Sequence, residues 1–196
     1  MTPGKKNTTV GRIIILSGPS GAGKTTLHDL LLKSPRFARR VVRSISATTR
    51  KPRGTEKDGR DYFFLSPKMF EFKIKRGQFL EWAKVFDNYY GTPMSAVRAE
   101  LKRGKSVLLC IDVQGGRQVK AKAPDAIAIF VKTTSLDELR RRLQARGTDS
   151  KESIALRLKT ASEELKQVQF YDHVLVNDTI EHAVAKLEAI LEPVLL

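Results

Sequence analysis

Between Gly18 and Thr26 the chain reads GPSGAGKTT, which fits the pattern G-x-x-x-x-G-K-[ST]. Glycines in such a turn let backbone N–H groups converge on an anion without Cβ clashes, and a helix starting at the lysine adds positive potential. The flanks suit this chemistry. Arg12 to Ser17 is a short apolar run that predicts a buried strand, and Leu27, Leu30 and Leu31 follow helical spacing up to Pro35. Gly18, Pro19, Ser20, Gly21, Ala22 and Gly23 would cradle phosphate oxygens, with Lys24 reaching β- and γ-phosphates. Thr25 and Thr26 open the helix, and the Thr25 hydroxyl suits Mg²⁺. A bound nucleoside triphosphate follows; what receives its phosphate does not.

An acidic residue further along strengthens the metal reading. Asp112 ends the apolar run that begins at Ser106, where the magnesium shell of such a site takes a carboxylate. An ordinary turn residue at a strand end is the alternative. The stretch SISATTRKPRGTEKDGRDYFF, Ser44 to Phe64, is rich in cations and hydroxyls. Arg50 and Arg53 flank Pro52, which stiffens the segment, and paired guanidiniums can clamp a phosphate by forked hydrogen bonds. Tyr62 and Tyr90 could add phenolic donors. Glu81, in QFLEWAKV, is a carboxylate within an apolar run: either a solvent-facing position on a half-buried strand or a recognition group.

The totals bound the rest. At 196 residues, 41% hydrophobic and 29% charged, the chain has the composition of a soluble globular domain with a sizeable core. Cys110 is the only cysteine, which excludes an internal disulfide and a multi-cysteine metal site. No apolar run reaches bilayer-spanning length, and residues 1–10 lack a signal-peptide core and read as a flexible tail. A cytoplasmic setting and no membrane partner are expected. The net charge of +15 suits polyanionic partners, but the cations are spread along the chain and aromatics are few. Charge alone names no partner.

Strands alternating with helices predict a parallel sheet covered on both faces. Further strands are predicted at Val41 to Ile45, Tyr62 to Leu65, Phe79 to Phe86, Ile127 to Val131 and Val174 to Val176. Helices are predicted at Pro67 to Arg76, Ser95 to Arg103, Gln114 to Ala121, Leu136 to Ala145, Lys151 to Val168 and Ile180 to Leu191. Residues 46–94 interrupt the alternation with a strand-rich insert.

At these residues the chain resembles the guanylate kinase family. The likeness runs from about Gly11 to Leu191, through LSGPSGAGKTTL, SISATTRKPRGTEKDGRDYFF, FLEWAKVFDNYYGTP, IDVQGG, RRRLQARGTDSKESIALRL and VLVND. It implies an α/β, P-loop nucleoside monophosphate kinase fold with a five-stranded parallel core sheet and helices on both faces. The core would be 11–45, 95–139 and 169–191, with a mixed α/β GMP-binding insert at 46–94 and a helical lid at 140–168. It further implies that Arg50, Arg53, Tyr62 and Tyr90 hold the GMP phosphate, with Glu56 and Asp112 also lining that site. Ser46, Glu81 and Thr92 would face guanine. Arg146 and Arg157 would come from the lid onto the transferring phosphates, making them catalytic with Lys24 and Arg50, and Asn177 would lie near adenine. The substrates would be ATP, with Mg²⁺ held by Thr25 and Asp112, and GMP. A monomer or small homo-oligomer is expected, with no specific nucleic acid.

The chemistry of Glu81 agrees. Guanine presents N1–H and N2–H₂ side by side, which a carboxylate accepts, whereas adenine presents a lone pair at N1. That argues against a kinase acting on AMP or thymidylate. A scaffold module that has lost its catalytic residues and an RNA-binding protein are the other rivals; against the first, the P-loop lysine and the insert arginines are intact. Two departures stand out. Cys110 occupies a position where relatives commonly carry Asp or Glu, and RGTE at 53–56 differs from the usual RPGE or RAGE, so Glu56 could be placed differently. Cys110 is expected to be a buried, structural thiol, and Arg140 to Arg142 a solvated helix face.

Overall fold

The computed structural model describes residues 11–85, 87–145, 147 and 149–195. Its centre is β1 (Ile13–Ser17), buried along its whole length. It pairs in parallel with β7 (Ser106–Cys110) on one side and β8 (Ile127–Lys132) on the other. Outside these lie β2 (Val41–Arg43) and β9 (His173–Val176), also parallel, giving a five-stranded sheet in the order β2-β7-β1-β8-β9. Alternation along β1 divides the interior in two. Ile14 and Leu16 pack with α1 (Lys24–Lys33) and α7 (Ile180–Leu195), joined by Leu27, Leu31, Leu187 and Leu191. Ile13 and Ile15 face Val97 of α3 (Met94–Lys102) and Val119 of α4 (Val113–Lys122). A strand apolar on both sides needs helices on both sides, and both are present.

The insert carries its own four-stranded sheet, in the order β4 (Phe63–Phe64), β3 (Ala47–Thr48), β6 (Asn88–Pro93), β5 (Phe79–Val85). Helix α2 (Pro67–Lys75) starts cleanly because Ser66 accepts from the Met69 N–H and Pro67 needs no partner for a missing donor. Phe70 anchors it, fully buried, stacked 4.3 Å from the Phe79 ring and 5.3 Å from Tyr89. Strand β6 was not predicted, since NYYGTP contains glycine and proline. It forms because β5 pairs with it from Val85↔Asn88 to Phe79↔Pro93, tertiary pairing overriding weak propensity. Two predicted strands are shorter: β2 stops at Arg43 and β4 spans only Phe63–Phe64. Phe86, the expected end of β5, lies outside the described residues.

Helix α5 (Leu136–Ala145) matches its prediction, and α6 (Lys151–Leu165), capped by Ser150, ends before Val168. A 3-10 turn, Val168–Phe170, replaces its expected last turn. The two helices enclose a small separate core of Leu139, Leu143, Ile154 and Ala161. Helix α7 outruns its predicted end at Leu191, continuing through Pro193 to Leu195. Burial of Leu195 and a 2.6 Å hydrogen bond from the Arg40 guanidinium to its carbonyl favour the extra turn. Leu187→Ala removes a fully buried side chain between α7 and β1. It should lower unfolding free energy in urea by about 2–5 kcal/mol; a change well below that range would mean the site collapses around the void.

Candidate active site

Every strand of the core sheet points the same way, so its loops gather at one edge. There β1 gives way to the glycine loop. At Gly18, φ is +131° and a Cβ would lie 2.1 Å from the Val131 carbonyl oxygen of β8. Gly23, at φ +93°, caps α1 in a left-handed conformation, and a Cβ there would strike the Asn177 carboxamide at 2.1 Å. Neither position accommodates a side chain. Asn177, just past β9 and 4% exposed, donates from Nδ2 to the Ala22 carbonyl at 2.8 Å. Its side chain therefore braces the turn from beneath. Lys24 Nζ donates to the Gly18 and Pro19 carbonyls at 2.6 and 2.9 Å, so the ammonium arches over the loop. Thr25 and Thr26 are exposed on the first turn of α1.

Cys110 departs from expectation. It is exposed, because it is the last residue of β7 where that strand emerges beside the glycine loop. Protein packed around the sulfur still pushes the thiol pKa up, while nearby Lys24 and a hydrogen bond from the Thr25 hydroxyl pull it down. Thus Cys110 adjoins the hydroxyl assigned to the metal. Asp112, two residues on, caps α4 by accepting from the Gly115 N–H at 2.7 Å.

On α6, Arg157 donates from Nη1 to Ser20 Oγ at 2.8 Å and from Nη2 to Asp149 at 3.1 Å, reaching the glycine loop from the far side. Arg146 lies outside the described residues. Of the three consecutive arginines, Arg140 and Arg141 are solvated and pair with Asp137 and Glu138. Arg142 corrects the prediction. It is half-buried, donating from Nε to Glu138 at 2.9 Å and from Nη2 to the Asn177 carbonyl at 2.8 Å. It ties α5 to the brace under the loop. Successive helix residues point different ways; which one turns inward depends on the packing of Leu139 and Leu143. Glu164 was also missed: burial raises its carboxyl pKa, nearby Lys24 lowers it and Asp112 raises it, so it looks toward the same centre.

The insert supplies a second cluster. Arg50 places its guanidinium 5.3 Å from the centroid of the Tyr62 ring and hydrogen-bonds Tyr90. The two phenol rings stand edge to face, 6.3 Å apart. Glu56 grips Arg50 through both oxygens, each at 2.9 Å, and accepts from the Arg53 N–H at 2.7 Å. The pair drives the Arg50 pKa up and the Glu56 pKa down, each chiefly through their shared hydrogen bonds. The Arg53 side chain is exposed. Ser46 stands immediately before β3, half-buried, its carbonyl bonded to Phe63 N–H.

Glu81 is not solvent-facing. It is 6% exposed and accepts from the Thr92 hydroxyl at 2.5 Å, its cross-strand neighbour. Burial raises its pKa most; Thr92 opposes this, Asp112 adds to it, and Lys122 opposes it. Gly115 makes room for both carboxylates, since a Cβ there would sit 3.1 Å from Glu81 and 3.4 Å from Asp112. Gln118 on α4 fixes their spacing by exchanging two hydrogen bonds with the Trp82 backbone, at 3.1 and 2.9 Å. The insert is thereby moored to the core beside its most buried carboxylate.

Thr25 and Asp112 offer hard oxygen ligands of the kind Mg²⁺ takes. Among the described residues no cluster of three or more His, Cys, Asp or Glu could cage an ion. A donor set this sparse fits an ion held mainly by substrate phosphates.

The guanylate kinase family profile matches residues 10–194. A guanylate kinase of Fusobacterium nucleatum is 50% identical over 94% of this chain and 97% of its own length. One from Caldanaerobacter subterraneus is 47% identical over 92% of this chain and 86% of its own. The crystal structure of a guanylate kinase from Anaplasma phagocytophilum superposes with a TM-score of 0.72 at 33% identity, covering 94% of this chain and 86% of that one. With a glycine loop at the strand edge, a buried carboxylate in the insert and these likenesses along nearly its whole length, the chain belongs to the guanylate kinase family.

Proposed function

We propose that this protein transfers the γ-phosphoryl group of ATP to GMP, giving ADP and GDP. The observation that carries the choice of acceptor is Glu81, buried and paired with Thr92 at the foot of the insert. Its carboxylate offers the acceptors that guanine N1–H and N2–H₂ require, and the Ser46 hydroxyl supplies a donor for O6, the Thr92 proton being committed to Glu81. A site built on hydrogen bonds to the base rejects a base that leaves them unpaired.

In this reading the glycine loop and Lys24 take the ATP phosphates, and Arg50, Arg53, Tyr62 and Tyr90 take the GMP phosphate. Arg157, and Arg146 with it, bring positive charge onto the moving group. The attacking phosphate oxygen is already anionic, so little proton transfer is needed. Positioning and electrostatic stabilisation carry the rate. Mg²⁺ bound with ATP, near Thr25 and Asp112, would offset charge on the phosphates. Asn177 takes a supporting role toward adenine through its hold on the loop. The insert at 46–94 and the lid at 140–168 are the parts that close over the two nucleotides. No described helix is long and apolar enough to cross a membrane; we assign the protein to the cytoplasm, where both nucleotides are made and used.

Three experiments test this. Lys24→Ala should lower kcat by several orders of magnitude while GMP affinity barely changes, because the amine stabilises charge that grows during transfer. Near-normal turnover would refute the loop assignment. The second uses pH. The folded-state pKa of Glu81 lies above its unfolded value, so its neutral form contributes stability at low pH that is lost as pH rises through the folded pKa. Only the ionised form accepts both guanine donors, so KM for GMP should rise as pH falls from neutrality. Glu81→Gln should flatten this dependence and cut kcat/KM for GMP by about 10²-fold, on the order of 3 kcal/mol. An equal pH profile in the two proteins would remove Glu81 from guanine recognition, and comparable wild-type efficiency with AMP would remove the guanine assignment itself. Third, Cys110→Asp puts a carboxylate beside the Thr25 hydroxyl. It should lower the magnesium concentration needed for half-maximal activity; an unchanged titration would show that this position lies outside the metal's reach.

A further inference from the structure

One large cavity lies apart from the residues assigned to the nucleotides. It is an open groove of about 1020 Å³ between the C-terminal end of α2 and the exposed face of α3. Its floor is apolar, with Phe63 and Met94 prominent, and its walls carry Lys73 and Arg76 from one side and Arg98 and Lys102 from the other. Among the described residues no carboxylate lines it. None of these four cations enters an ion pair among the described residues, although Arg36, Arg50, Arg60, Arg103 and Arg157 all do elsewhere. Lys73 bonds only the neutral Gln78, and Arg76 lies 4.9 Å from the centroid of the exposed Phe72 ring. Cations near helix C-termini complement the helix dipole, which accounts for Lys73 and Lys102 singly. It does not account for two cationic walls facing each other across an apolar floor. Like charges so placed repel, and low-dielectric walls concentrate their field on whatever lies between.

The groove is also distinct by face. Adjacent residues of a strand point to opposite sides of a sheet. Ala47, Phe63 and Pro93 line the groove, whereas their neighbours Ser46, Tyr62 and Thr92 belong to the pocket assigned to GMP. Pro93 passes directly into α3, and the Met94 N–H bonds the Gln78 carbonyl at the rim. The groove is thus the back of the joint between insert and core.

We propose that this groove binds a nucleoside polyphosphate, its base on the Phe63–Met94 floor and its phosphates between the two cationic walls, and that occupancy raises KM for GMP. A ligand bridging α2 and α3 holds the insert's rear edge to the core and opposes its movement toward the phosphate loop. The size suits one small molecule better than an extended strand of nucleic acid, since small-ligand pockets run to about 1,000 Å³. The effect on KM rests on the GMP pocket assigned above; the binding itself does not.

The test uses the whole protein with both substrate sites saturated by ADP and GMP, a pair that cannot react. UTP, which shares a base with neither substrate, is titrated calorimetrically, with inorganic tripolyphosphate as a second probe. One equivalent of UTP should bind, more tightly than tripolyphosphate, and the double charge reversal Arg98→Glu, Lys102→Glu should weaken it by about tenfold or more. That variant should keep its kcat and KM without UTP, and UTP should raise KM for GMP in the wild type only. Absence of saturable binding, or equal binding by the variant, overturns the site. Equal affinity for UTP and tripolyphosphate overturns the role of the floor. Tighter capture of a short single-stranded RNA, with a steep salt dependence, overturns the small-molecule occupant. UTP binding that leaves KM for GMP unmoved overturns the coupling but not the site.

Discussion

The parallel register of β1 between its two neighbours decides where everything else can be. Ile14 lies level with Leu108 on one side and Ile127 on the other, so three strands end together at one edge of the sheet. That edge receives the glycine loop from β1, Cys110 and Asp112 from β7, and Asn177 from β9. Ligands of open α/β sheets sit at the carboxyl ends of their strands for this reason. The same register brings the Val131 carbonyl so close to residue 18 that only glycine fits. A slip of one residue would turn the strand's two apolar faces over and scatter the loop's supports together.

The second determinant is a conflict held in place by the first. Glu81 is a carboxylate buried near another, Asp112, and both burial and that neighbour favour its neutral form. Thr92 and Lys122 act against this. The arrangement persists because the backbone around it is fixed independently: Gln118 clasps Trp82, and Lys122 donates to the Phe79 carbonyl at 2.8 Å. A buried carboxylate gains from a ligand that brings two further donors, which under the proposed assignment would tie its energetic disadvantage to base recognition.

Much of this was legible in the sequence, and the reasons differ by residue. The glycine loop is written in local terms, because backbone freedom, a lysine and a hydroxyl must lie within one turn, and the alternation of strands and helices follows from apolar periodicity. Glu81 could be read from chemistry once guanine was in view, but pattern alone left its burial open, since alternation cannot say whether a strand's polar face meets water or another domain. Cys110 was misread for the opposite reason: an apolar run does not reveal that its last residue has already left the core. Strand β6 depends on pairing with its hairpin neighbour β5 and with the more distant β3, and Arg142 on the Asn177 carbonyl far along the chain.

The grip of Glu56 on Arg50 has a consequence for how an anion could approach. Oε2 and Oε1 of Glu56 take Nη1 and Nη2, and the Lys51 carbonyl, at 2.7 Å, takes Nη1 again. The guanidinium's end is thus closed, and what remains, apart from its hydrogen bond with Tyr90, belongs to the flank running from Nε to Nη2. A newcomer is met side-on, in one plane and from one direction, by a fork whose rotamer is already frozen. The carboxylate does not need to leave for this to happen. It works as a bearing that sets the angle of the fork, so that entropy otherwise lost on docking is removed when the chain folds.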